Sequence, residues 1–284
     1  MKIQHFLLTR FNVRFKGFLK MAPWKGGDRE YLEKRFDLFE RYTLASIRRQ
    51  NSDFKWLVFF SSLTPEPFRS RAMAYAEKCP QYEAVFVDDA VPLEPPSGRE
   101  VFLSAVLDRL DEGTEYYIAS RIDNDDAFNV DALNAIREAA ERRLETECGG
   151  KFFLVMPHGA TYDDTAGFTQ TYDWDCNHFP TVVCGRNDPD QPFSTQHTKI
   201  RETGLPVVKV PLDHAWLEIV NGTNLVNSLR VRRCRPKFFS SARMREVFGI
   251  DVEMSRWRFC RYLISAYLPA KIANLVGGKS KRVK

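Results

Sequence analysis

Apolar and polar positions alternate between two periods along most of the chain. Short apolar runs mark strands, and apolar residues recurring every three or four positions mark helices. HFLLTRFN (5–12) predicts a first strand. Asp28 then caps a helix reaching about Gln50, with Leu32, Phe36, Phe39 and Ile47 on one face. KWLVFFSS (55–62) is apolar at nearly every position, the pattern of a strand covered on both sides. Thr64-Pro65 opens a helix through Tyr75. EAVFVDD (83–89) is a third strand, followed by the EPPSGRE loop and a helix through Leu110. EYYIASRIDNDD (115–126) is a fourth strand with an acidic end. Asn129 caps a helix carrying Leu133, Ile136, Ala140 and Leu144 on one face, and KFFLVMP (151–157) is a fifth strand.

Four rounds of strand and helix predict an α/β fold with a largely parallel sheet flanked by helices. Right-handed crossovers follow, and ligands bind outside the carboxyl ends of the strands. From about 158 to 225 the pattern turns irregular and polar, with short strand-like pieces in TVVCG and PVVKVPL. Residues 240–276 read as helical. The expected division is a body over 1–225 and a basic, mainly helical C-terminal extension over 226–284.

Charge sharpens that division. The 284 residues carry a net charge of +5. Residues 226–284 hold 15 Lys and Arg against 3 Asp and Glu, so the extension is +12 and the body −7. A basic quarter of this kind suits nucleic acid, anionic lipid or a phosphorylated ligand. Arg256, Trp257, Arg258, Phe259, Arg261, Tyr262, Leu263 and Ile264 interleave cations with large apolar groups, as in a helix lying on an anionic membrane. Lys279, Lys281, Arg282 and Lys284 would reinforce it. Binding to liposomes that survives truncation at Gly249 would remove that reading. The RVRRCRPK stretch offers a nucleic-acid alternative, but no recognisable reading module accompanies it.

Composition excludes disorder, collagen and coiled-coil fibres. No apolar run approaches the roughly 20 residues of a spanning helix. Arg10 ends the first apolar stretch too early for a secretory signal, so a cytoplasmic protein is expected. Six cysteines without a CxxC pair read as reduced thiols. There is no GxGxxG after the first strand, no GxSxG and no HExxH. Gly277-Gly278-Lys279-Ser280 lacks the first glycine and the following helix of a phosphate loop. Asn221-Gly222-Thr223 fits a glycosylation acceptor that a cytoplasmic protein would not use.

The strongest local signal is RIDNDD at 121–126, three carboxylates in four residues at a strand end. In an extended chain Asp123 and Asp125 share a face. A hard divalent ion, Mg²⁺ or Mn²⁺, relieves the repulsion between them and keeps positions open for diphosphate oxygens. A phosphohydrolase built on the same carboxylates is the competing enzyme class.

With RIDNDD the chain resembles the bacterial rhamnosyltransferase family, among GT-A-type glycosyltransferases. HFLLTRFNVR (5–14), LEKRFDLFERYTLASIRRQ (32–50), FKWLVFFSSLTP (54–65), SRIDNDDAF (120–128) and HAWLEIVNGTN (214–224) carry the resemblance. Two positions depart from its pattern: Ser61 stands where members carry Asp, and Asn221 where they carry His. The resemblance implies a GT-A-like fold and sugar transfer from a nucleotide-diphosphate sugar to a glycan or lipid-linked acceptor. It implies a nucleotide at the first strand tips, near Thr9, Arg10 and Arg14. Asp123 would face ribose or metal, Asp125 would bind the metal, and Asp126 would orient Arg121. His214 is the candidate third ligand, with Asn221 or Asn224 as oxygen alternatives. An inverting transfer needs a carboxylate base, and Asp163, Asp164, Asp173 and Asp175 stay open for it. Tyr162, Tyr172 and Trp174 could pack on a sugar ring.

Overall fold

The structure is a computed structural model that describes residues 1–19, 23–94, 97–147, 150–221 and 234–277. Asn224, the RVRR part of the basic stretch, and Lys279, Lys281, Arg282 and Lys284 lie outside the described residues.

A seven-stranded sheet is ordered β10-β6-β9-β4-β1-β2-β3. Its strands are β1 (Ile3–Arg10), β2 (Lys55–Ser61), β3 (Tyr82–Val87), β4 (Tyr116–Arg121), β6 (Phe152–Val155), β9 (Thr181–Gly185) and β10 (Val207–Lys209). β4, β1, β2 and β3 run parallel, and only β9 runs antiparallel to its neighbours. The expected α/β architecture, a mostly parallel sheet flanked by helices, is the one observed. The period of two explains the apolar run of β2. Trp56, Val58 and Phe60 enter one core cluster, and Leu57 and Phe59 enter the cluster on the opposite face.

The helices in chain order are α1 (Lys16–Leu19), α2 (Arg29–Leu38), α3 (Ala45–Ile47), α4 (Phe68–Ala74), α5 (Ser97–Leu107), α6 (Ala132–Thr146), α7 (Ser241–Phe248), α8 (Arg256–Tyr262) and α9 (Leu268–Gly277). Asp28 caps α2 as expected, its carboxylate accepting from Tyr31 N–H at 2.8 Å. A π-helical turn, Phe39–Leu44, joins α2 to α3. Leu32, Phe36, Phe39 and Ile47 are all fully buried. α4 begins at Phe68 rather than Thr64, because a turn through Phe68 N–H to Pro65 O precedes it. Asn129 does not cap α6; its side chain accepts from Asp131 N–H at 3.0 Å. The amide Oε1 of Gln50 accepts from Leu133 N–H instead, so the segment after α3 satisfies the start of α6.

The stretch expected to be irregular builds most of a second sheet, ordered β12-β8-β7-β11-β5. Its strands are β5 (Ala127–Phe128), β7 (His158–Asp163), β8 (Phe168–Asp173), β11 (Trp216–Val220) and β12 (Cys234–Pro236). The strands escape sequence reading because their inward positions are partly polar: Thr161, Thr169, Gln170 and Glu218 are buried. Gly159 faces Trp216, and a Cβ there would lie 2.1 Å from the indole. The two sheets share a core. Trp216 and Tyr172 of the second belong to the same cluster as Leu7, Trp56 and Phe36 of the first layer. No helix among the described residues is long and apolar enough to cross a membrane.

Candidate active site

β1 lies between β2 and β4, so its carboxyl end opens at the centre of the sheet. The half-buried Arg10 guanidinium there sits 4.7 Å from the Phe193 ring and 5.4 Å from Phe15. Burial and the neighbouring Arg121 lower its pKa to about 10, against the pull of Asp123, so it stays a cation at neutral pH. Arg121 ends β4, covers the same Phe193 ring at 5.0 Å, and donates to Asp123 Oδ1 at 3.1 Å. Burial pushes the Asp123 carboxyl up, but Arg121, His178 and Arg10 together hold it down at about 2. Two guanidiniums, one carboxylate and an aromatic ring therefore converge at the strand tips.

The strand stops at Arg121, so Asp123 and Asp125 do not share a strand face. Asn124 and Asp125 form a turn, with Asp126 N–H reaching Asp123 O at 3.4 Å. Asn and Asp favour such turns, and Asn124 closes this one by donating to Phe11 O at 2.9 Å. The carboxylates then separate. Asp125 Oδ2 accepts from Arg35 at 3.0 Å and from the Asn221 amide at 3.1 Å. Arg35 also donates to Asn124 Oδ1. Asp126 does not reach Arg121. It is fully buried, and its Oδ1 accepts from Ile219 N–H at 2.8 Å. Burial first, then Asp125, Asp123 and Glu218, push its pKa well up. His178 Nε2 lies 3.8 Å from its other oxygen.

Beside this turn is a cleft of about 210 Å³, lined by Lys34, Asp37, Leu38, Arg41, Asp164 and Asn221. Asp164 accepts from the Tyr42 hydroxyl at 2.5 Å and from Arg41 at 3.5 Å. Its N–H donates to Val220 O at 3.0 Å, which holds the tip of β7 against the end of β11. Asp163 closes its own turn by accepting from Ala166 N–H at 2.7 Å, and burial raises its pKa.

The other sequence candidates lie elsewhere. Thr9 is fully buried and accepts from Trp56 Nε1, so it faces the core. Arg14 anchors the end of β3: its N–H donates to Asp89 Oδ2 at 2.7 Å and its guanidinium to Ala90 O at 2.9 Å. Ser61 donates to the other Asp89 oxygen at 2.6 Å. His214 precedes β11 while Asn221 follows it, so roughly 20 Å of extended chain separates them. His214 instead meets Lys237 at 2.9 Å and the edge of Phe239. Asp173 sits at the far end of the β7–β8 hairpin, bonded to His158 at 2.7 Å. Asp175 is exposed and paired with Lys209 at 2.8 Å. Tyr162 and Tyr172 are buried, and Trp174 packs beside His178 and His197. Arg35, Tyr42, His178 and Phe193 escaped sequence reading. Arg35 sits one residue before a core phenylalanine, with nothing local to mark it.

A divalent cation does not fit this donor set as arranged. Asp125 is engaged by Arg35 and Asn221, Asn221 presents its NH₂ to Asp125, and His214 is remote. Among the described residues, no group of three or more His, Cys, Asp or Glu is placed to hold one.

Residues 4–233 match the family described as "Putative rhamnosyl transferase". The chain belongs to this family. No curated protein matches the chain. Among solved structures, S. aureus TarS in complex with UDP is 12% identical with a TM-score of 0.42, over 78% of this chain and 61% of that one. TarS in complex with UDP-GlcNAc is 10% identical with a TM-score of 0.41, over 79% and 60%. This rhamnosyl transferase family member thus spans about three fifths of those chains.

Proposed function

We propose that the chain moves a sugar from a nucleoside-diphosphate donor to a hydroxyl on a glycan or lipid-linked acceptor. The observation that carries this reading is the pairing of Arg10 and Arg121 around Asp123, at the strand tips of a rhamnosyl transferase family member. Guanidiniums bind phosphate oxygens bidentately. As the anomeric carbon–oxygen bond breaks, negative charge grows on the leaving diphosphate, and fixed cations stabilise it. The sugar carbon becomes cation-like, as in glycoside hydrolysis. Asp164 is the base of this proposal. It lines the open cleft with Asn221, whose amide touches Asp125, and so stands on the acceptor side of the RIDNDD turn. Rhamnose is the sugar suggested by the family's description.

Thermal stability in the presence of UDP, GDP, dTDP or CMP, each with and without Mn²⁺, tests the reading. One nucleotide at a hundred times its Kd should stabilise by about 2.7 kcal/mol. The shift should vanish in Arg121→Ala, persist in Asp164→Asn, and need no Mn²⁺. No shift with any nucleotide would overturn the proposal.

A further inference from the structure

α8, a π-helical turn (Leu263–Tyr267) and α9 form one continuous helical rod. One side is spent on the body. Phe259, Tyr262 and Tyr267 pack around Phe168 at the start of β8, with ring centroids 5.0, 4.7 and 5.7 Å away. The Tyr267 hydroxyl donates to Cys234 O at 2.7 Å. The other side faces outward with Trp257, Ile264, Leu268, Ile272 and Leu275, which are 67, 68, 43, 60 and 77% exposed. Within α9, at 100° per residue, Leu268, Ile272 and Leu275 fall within roughly a 60° arc, and Trp257 and Ile264 extend the exposed side through α8 and the π-helical turn. Five of the nine exposed large hydrophobics among the described residues therefore sit in one stripe of one rod.

Along the rod's own sequence the charge has one sign. From Met254 to Lys284 the sequence carries eight Lys and Arg and no Asp or Glu. Arg256, Arg258, Arg261 and Lys271 belong to the rod itself, and Arg261 lies over the Trp257 ring at 5.4 Å. An apolar stripe with cationic flanks and a tryptophan fits the boundary between lipid headgroups and acyl chains. A second copy of the chain would face this stripe with the same cations, which repel. A nucleic acid would leave the apolar groups in water.

We propose that the outer face of this rod docks the protein on an anionic lipid bilayer. The rod lies in the interface, with the stripe inserted and the cations at the headgroups. Docking stands on the stripe and its charges alone. A consequence for the acceptor rests on the proposed function. Phe168 pairs with Asp163, so the docked helix holds the Asp164 cleft beside the bilayer, where a lipid-linked acceptor presents its sugar.

Flotation of the full chain with vesicles of phosphatidylcholine and phosphatidylglycerol, or phosphatidylcholine alone, tests docking. Wild type should float with the anionic vesicles only, and Ile264→Glu with Leu275→Glu should weaken binding at least about tenfold. The variant's melting temperature, and its shift with the nucleotide that stabilises wild type, should be unchanged, which separates lost docking from lost folding. Failure of wild type to float, or flotation unaffected by the substitutions, would overturn the proposal. So would a wild-type dimer, seen by light scattering and dissolved by the same substitutions without any vesicle binding.

Discussion

The Asp164 carboxylate holds two donors, Tyr42 and Arg41, yet remains open to the cleft. As the proposed base, it can be emptied without disturbing the proposed donor site. Asp164→Asn should lower kcat by about 10²–10⁴-fold with the KM for the donor nearly unchanged, in steady-state kinetics. Arg35 has the opposite character. It is the cation for a turn containing buried Asp125 and Asp126. Arg35→Met should cost about 3–5 kcal/mol in urea unfolding, and adding Asp125→Asn should restore part of it. A mild loss in the single variant would show that Arg35 is not what balances the turn. At this scale the sequence marked RIDNDD, Arg10 and Arg121, and the structure sets them together. It could not show that Thr9 points into the core, because both faces of β1 are buried. Nor could the spacing show which end of β11 carries His214.

Elements read well where one period dominated. β1 to β4, α2 and α6 lie within a few residues of their apolar patterns. The second sheet stayed hidden because HGATYD and FTQTYD bury hydroxyls and amides in place of aliphatic groups. Similar polar ties cross the first sheet. His5 Nε2 on β1 meets Ser120 Oγ on β4 at 2.8 Å, and Ser120 accepts from Thr181 on β9 at 2.8 Å. Burial first, and then Arg137, lower the His5 pKa from 6.5 to about 3. The folded state therefore prefers neutral His5. The stability this contributes is complete above pH 6.5 and is lost as pH falls from 6.5 toward 3. The loss is on the order of 5 kcal/mol for a group 1% exposed. Melting temperature against pH should be flatter over that window in His5→Gln, and equal slopes would exclude His5 as the cause.

Across the whole molecule, one core cluster reaches both sheets through Trp216 and Tyr172. Trp216 fills the space beside Gly159 and donates to Met156 O at 2.8 Å. Unfolding should accordingly be a single transition. Trp216→Ala should move all of it, by about 3–5 kcal/mol, in calorimetry. Two separated transitions would mean the sheets melt as independent units. This shared core was not legible beforehand, because it joins residues more than 150 positions apart and contact between them leaves no local pattern.

The short turn between β7 and β8 ties two surfaces to one short, hydrogen-bonded piece of chain. Asp164 stands at its start, and Phe168, gripped by three rings of the C-terminal helical rod, stands at its end. The height of the cleft above any surface beneath that rod is then a fixed dimension of the protein. If it acts as proposed, the protein would measure its acceptors as a ruler does. It would accept a sugar held at the right elevation and pass over the same sugar on a longer stem.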